Sequence, residues 1–128
     1  MTTAPHDPAT GVYAATPDYI HALELRAPER LLFVSGTMGL DPSGAAGETL
    51  DAQVELVWEN LRAILASAGM TLDDVVRVTS YLRDAAYADT NARARVAALG
   101  GRRVPTTAIV VGTLESDWLV EIEVVAAA

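Results

Sequence analysis

Arg102 to Ala126 reads RRVPTTAIVVGTLESDWLVEIEVVA, and its second half decides the fold. Two apolar runs flank a polar turn at Glu115-Ser116-Asp117. In the second run Leu119, Glu121, Glu123 and Val125 share one face of the alternation, and Val120, Ile122 and Val124 share the other. A period of two marks a strand. It sets two carboxylates on one side of a strand in an otherwise apolar context. Such groups cost free energy unless they reach water, a partner or a substrate. A carboxylate aimed into a pocket is also a candidate general base.

Upstream, Val75–Leu82 (VVRVTSYL) alternates and is β-branched, hence a strand, with Val76, Val78, Ser80 and Leu82 on one face and Arg77, Thr79 and Tyr81 on the other. Leu31–Ser35 (LLFVS) is a compact apolar strand ended by Gly36, and Tyr19–Leu25 is a short strand before it. Arg26–Arg30 and Asp41–Gly44 read as turns. From Leu50 to Ala68 the period changes: Val54, Val57, Trp58, Leu61, Ile64, Leu65 and Ala68 recur at helical spacing. Thr49 caps the start, Asp51 sits in the first turn and Gly69 closes the end. Trp58 lies on the apolar stripe and reads as core. Asp84 caps a second helix over Ala85–Leu99, followed by Gly100-Gly101, and the last two strands are Thr106–Val111 and Trp118–Val125.

The order β-β-α-β-α-β-β predicts an α+β domain in two layers, a mixed sheet with both helices on one face. The other sheet face would be uncovered and partly apolar, which predicts self-association. Residues 1–17, rich in Pro, Thr and Ala and without a period, are expected to be a flexible arm, and 18–128 a single domain.

Composition narrows the function classes. Seventeen acids against nine bases give a net charge of −8, so nucleic acid and anionic membranes are poor partners. There is no cysteine, which excludes disulfides and thiol chemistry. Neither a transmembrane-length apolar run nor a signal peptide is present, and a cytoplasmic location is expected. No His/Asp/Glu grouping has metal-ligand spacing and no glycine-rich phosphate loop leads a strand into a helix, so no metal and no cofactor are expected.

Four segments carry a resemblance. Tyr19-Ile20-His21-Ala22, Leu32-Phe33-Val34-Ser35-Gly36, the series Asn60-Leu61, Ile64-Leu65, Ala68-Gly69, Asp73-Asp74-Val75-Val76 and Val78-Thr79, and finally Val120-Glu121-Ile122-Glu123 with Ala126 resemble, in order and spacing, the RidA/YjgF (reactive intermediate deaminase) family from about Tyr19 to Ala126. The resemblance implies a chorismate-mutase-like fold and a homotrimer with its sheets around the threefold axis and clefts at the subunit interfaces. It also implies hydrolysis of small-molecule imines and enamines, such as 2-aminoacrylate, to keto acids and ammonia. On the family's pattern Glu121 is the carboxylate that places and polarises the attacking water, Tyr19 lines the cleft, and Asn91 falls at the asparagine of the second helix.

The chain departs from that pattern twice. The family's carboxylate-binding arginine stands immediately before the final Ser/Thr pair; here Thr106-Thr107 follow Pro105, which has no donor. Arg103, two residues earlier, shares a strand face with position 105 at a shift of roughly 7 Å. The family's SGQ run is altered to Ser35-Gly36-Thr37-Met38-Gly39, so Thr37, shorter than Gln, stands at the cleft floor. Three readings follow: a divergent Rid-family enzyme for an atypical imine or enamine, by hydrolysis, tautomerisation or condensation in a dedicated metabolic or biosynthetic pathway; an ordinary 2-iminoacid deaminase using Arg103; or a non-catalytic trimer that binds a small metabolite.

Overall fold

The computed structural model describes residues 1–128. Its elements are β1 (Thr2–His6), β2 (Ala22–Arg26), β3 (Leu31–Met38), α1 (Leu50–Ser67), β4 (Val75–Leu82), α2 (Ala88–Ala98), β5 (Thr106–Val110) and β6 (Val120–Ala127). A mixed four-stranded sheet runs in the order β3-β6-β4-β5, with β4 and β5 parallel and the other pairs antiparallel. The fold is the two-layer α+β arrangement expected, with both helices on one sheet face.

The central strand is β6, paired on both sides. Val120, Ile122 and Val124 are buried to 1% exposure or less, against Val57, Leu61 and Leu65 of α1 and Val78 and Leu82 of β4. Trp58 joins this core at 3% exposed. Helix α1 starts where Thr49 accepts from the Ala52 N–H at 3.1 Å. It ends at Gly69, whose φ of 70° is the left-handed conformation that glycine adopts without a Cβ penalty. Ile64, placed on the stripe by periodicity, is 39% exposed at its edge.

Five local expectations are corrected. Residues 2–6, inside the stretch read as an arm, form β1, which pairs with β2 in a separate two-stranded ribbon. The strand expected over Tyr19–Leu25 starts at Ala22 and does not join the main sheet. β3 does not stop at Gly36 but runs on to Met38 through a register shift between Val34 and Thr37, because the extra residue of a bulge lets a strand bend and continue. A second shift, between Val75 and Arg77, puts Val75 in the core in place of Val76. The second helix opens with one 3₁₀ turn, Ala85–Tyr87, capped by Asp84, and becomes α-helical at Ala88.

Two buried or half-buried amides on α1 fasten the loops to the core. Asn60 donates to the carbonyls of Met38 and Leu40, at 3.2 and 2.9 Å, and so anchors the end of β3. Gln53, 2% exposed, donates to the carbonyls of Gly47 and Asp117 and accepts from the Leu119 N–H, at 2.9, 2.6 and 2.8 Å. One side chain thus fixes the approach to α1 and the start of β6. A Gln53→Leu variant keeps the volume but leaves three backbone groups without partners. Urea denaturation at fixed protein concentration is expected to show a loss of about 2–4 kcal/mol with an unchanged m-value.

Candidate functional site

The sheet face opposite the helices is open. Phe33 is 75% exposed there, Leu31 53% and Ile109 46%. Pairing fixes what sits beside what: Glu121 lies between Met38 of β3 and Tyr81 of β4, and Val125 between Phe33 and Arg77. Glu121 and Glu123 are both half-buried, on the face the alternation assigned to them.

Their surroundings differ. The phenol of Tyr81 donates to Glu123 Oε1 at 2.5 Å, a diagonal contact, since Tyr81 stands opposite Glu121 and Thr79 opposite Glu123. Tyr81 is held above the usual phenol pKa, first by that hydrogen bond, then by lost hydration and by the charges of Glu123 and Glu121, with Arg77 opposing. Glu121 extends the other way, over β3. A Cβ on Gly36 would stand 2.9 Å from Glu121 Cδ and 3.2 Å from its Cγ, so glycine is what makes room for this carboxylate. A groove of about 630 Å³ runs along the free edge of β3, from Phe33 to Met38, and is walled by Asn60 and Ile64 of α1; Gly36 lines it and Glu121 does not.

The other residues singled out by sequence lie elsewhere. Thr37 is 8% exposed, and its hydroxyl donates to the Ser35 carbonyl at 2.9 Å; the bulge turns it away from the open face. Thr106 is paired with Val78 on the helix side, and its hydroxyl donates to Val104 O at 3.0 Å. Pro105 is half-buried, and its carbonyl accepts from Val78 N at 3.2 Å, joining β5 to β4. Arg103 is exposed and lines a separate cavity of about 360 Å³ with Asp73, Asp74, Arg102 and the β1–β2 ribbon.

Tyr19 is half-buried and packs edge-on against His21, with ring centres 5.9 Å apart, and Tyr13 flanks the same imidazole at 5.1 Å. The preceding residue, Asp18, is clamped to α2 by Arg95, which donates to both its carboxylate and its carbonyl at 2.7 Å. Thr16 first and Arg95 second hold the Asp18 carboxyl below its usual pKa. Asn91, one turn before Arg95 on the inner side of α2, is 2% exposed, and its Oδ1 has no partner in the chain.

Within one chain these residues do not converge. Glu121 stands level with Tyr81, whereas Pro105 stands level with Arg77, four residues away along β4, or roughly 13 Å. Tyr81 and Gly36, which shape the surroundings of the two carboxylates, were not among the candidates from sequence. The alternation put Tyr81 on the Arg77/Thr79 face, but only the pairing of β4 with β6 brings it to the acids. Arg77, also on this face, donates to Thr107 at 2.9 Å. No grouping of three or more His, Asp or Glu side chains could hold a metal ion, and no helix is long and apolar enough to cross a membrane.

The family described as Endoribonuclease L-PSP matches residues 11–128. A RutC family protein of Pyrococcus horikoshii, PH0854, is 36% identical over 99 residues, which cover 74% of this chain and 77% of that protein. YjgH of Escherichia coli, also a RutC family protein, is 46% identical over 54 residues, about two-fifths of either chain (42% of this one, 41% of YjgH). A 2-iminobutanoate/2-iminopropanoate deaminase of Salmonella typhimurium is 32% identical over 72 residues, covering 56% of this chain and 54% of the enzyme. Among solved structures, the Rid-family protein YyfB of Yersinia pestis superposes over the whole of both chains with a TM-score of 0.86 at 27% identity.

The contact between Gly36 and Glu121 can be tested without knowing a substrate. Gly36→Ala is expected to lower stability by about 1–3 kcal/mol. In a Glu121→Ala background the same substitution should cost almost nothing, a coupling that a double-mutant cycle of denaturation midpoints measures directly.

Proposed function

Because the chain belongs to the endoribonuclease L-PSP family, the family of the RidA/YjgF proteins, we propose that it is a divergent Rid enzyme acting on a reactive imine or enamine, with Glu121 as its catalytic carboxylate. The observation that carries the reading is the placement of Glu121: half-buried on the open sheet face and laid over Gly36, a glycine that also lines the groove at the β3 edge. In hydrolysis Glu121 takes a proton from water as the oxygen attacks the imine carbon. It hands that proton to nitrogen, giving a carbinolamine. It then takes the carbinolamine hydroxyl proton and passes it to nitrogen as the C–N bond breaks, so that imine and water become a carbonyl compound and ammonia. The same carboxylate serves a tautomerisation by moving a proton between carbon and nitrogen.

Pro105 argues that the substrate is not a small α-imino acid, since no guanidinium stands at that position to grip a carboxylate. Arg103 is a poor substitute, being exposed beside a different cavity. A net charge of −8 and two carboxylates on the open face make RNA an unfavourable ligand, whatever the family's description.

The distance between Glu121 and the Pro105 end of the face supports clefts assembled from two protomers. So does the exposed apolar surface of Phe33, Leu31 and Ile109, which a monomer would leave in water. Light scattering at micromolar concentration is expected to give three times the 13.5 kDa chain mass; a stable monomer would remove the interfacial site.

On the imine that the protein turns over best, Glu121→Gln should lower kcat by roughly 10²–10⁴-fold with the trimer intact. 2-Iminopropanoate should be among the slowest substrates of the unmodified protein. Ligand binding without turnover in either form would identify a binding protein instead.

A further inference from the structure

Two carboxylates two residues apart on one strand face stand roughly 7 Å from each other. Left alike, both are candidates for the same proton and the same water. Sites that use paired acids give the two members different environments. Here the difference is made by Tyr81. Its Cα is paired with that of Glu121, yet its hydroxyl reaches Glu123, so its ring spans the β4 side of both acids. Gly36 clears the β3 side, where the end of Glu121 lies.

We propose that Tyr81 is a positioning residue for Glu121: by donating to Glu123 it withdraws the second carboxylate from the chemistry and leaves Glu121, displaced toward Gly36, as the one free base of the face. This role rests on reading the face as an imine or enamine site. The groups facing the phenol are Glu121 and Glu123 from β6 and Arg77 and Thr79 from its own strand, with Thr107 and Ile109 on β5 beyond. The two acids hold the phenol protonated, and Arg77, engaged with Thr107, only partly opposes them. The donor therefore persists across the pH range in which a carboxylate base works.

Two measurements test the pairing and the role separately. The chain has four tyrosines, Tyr13, Tyr19, Tyr81 and Tyr87. Ultraviolet titration of the protein alone should show one phenol ionising later than the others, absent in Tyr81→Phe and shifted to lower pH by Glu123→Gln. A late phenol indifferent to Glu123→Gln overturns the pairing.

With the working substrate, Tyr81→Phe keeps the ring and should lower kcat about tenfold, less than the roughly 10²–10⁴-fold expected for loss of the base itself, with little change in KM. Adding Glu123→Gln to Tyr81→Phe should restore most of the loss, because the amide no longer competes for the proton. A merely structural tyrosine would not be rescued in this way. A double variant no faster than Tyr81→Phe overturns the positioning role and leaves the enzyme reading standing. If Glu123→Gln alone is as damaging as Glu121→Gln, Glu123 is the base and the proposal is wrong. A wild-type protein that turns over no imine or enamine removes both the function and the role, whatever the phenol titration shows.

Discussion

Strand β6 is held on both edges, by β3 and by β4, and its inward side chains Val120, Ile122 and Val124 are sealed against α1. A slip of one residue in its register would move these three into water and drive Glu121 and Glu123 into an apolar core. Each buried aliphatic side chain contributes about 1.5–3 kcal/mol, and burying an unpaired carboxylate costs several kcal/mol, so the two penalties point the same way. The position of both acids on the open face is therefore fixed by the packing on the opposite face. Everything the site does depends on that constraint.

Given the face, the carboxylates are told apart by their neighbours on either side. On one side a tyrosine hydroxyl reaches Glu123; on the other a glycine admits Glu121. Asn60 holds the end of β3 by the carbonyls of Met38 and Leu40, and so holds one wall of the edge groove. Gln53 does the same for the start of β6. The helix layer thus positions the open face through side-chain amides bonded to the backbone of the strand ends.

The N-terminal segment is fixed by a different device. Arg95, with its side chain 5% exposed, grips both the carboxylate and the carbonyl of Asp18 and brings Tyr19 against His21 beside α2. A guanidinium so enclosed needs its partner: removing one member of such a pair leaves a charge with nothing to offset its lost hydration. Tyr19 and Asn91 therefore belong to the α2 side of the molecule, and within one chain they do not meet Glu121.

The sequence by itself determined the layers and the faces. The period of two over Val120–Val125 and the helical period over Leu50–Ala68 are local properties of pleat and turn, so they could be read without knowing any neighbour. They placed Glu121 and Glu123 on the uncovered side, and the four motif segments pointed to the family. Only the tertiary structure decided which residues meet. The shift between Val34 and Thr37 turned Thr37 to the core, and the shift between Val75 and Arg77 exchanged Val75 for Val76. The pairing of β4 with β6 brought Tyr81 to the acids, and β1 formed because β2 offered it an edge. Bulges and registers are set by the strand alongside, which lies up to dozens of residues away in sequence. No local pattern around Thr37, Tyr81 or Thr2–His6 carries that information.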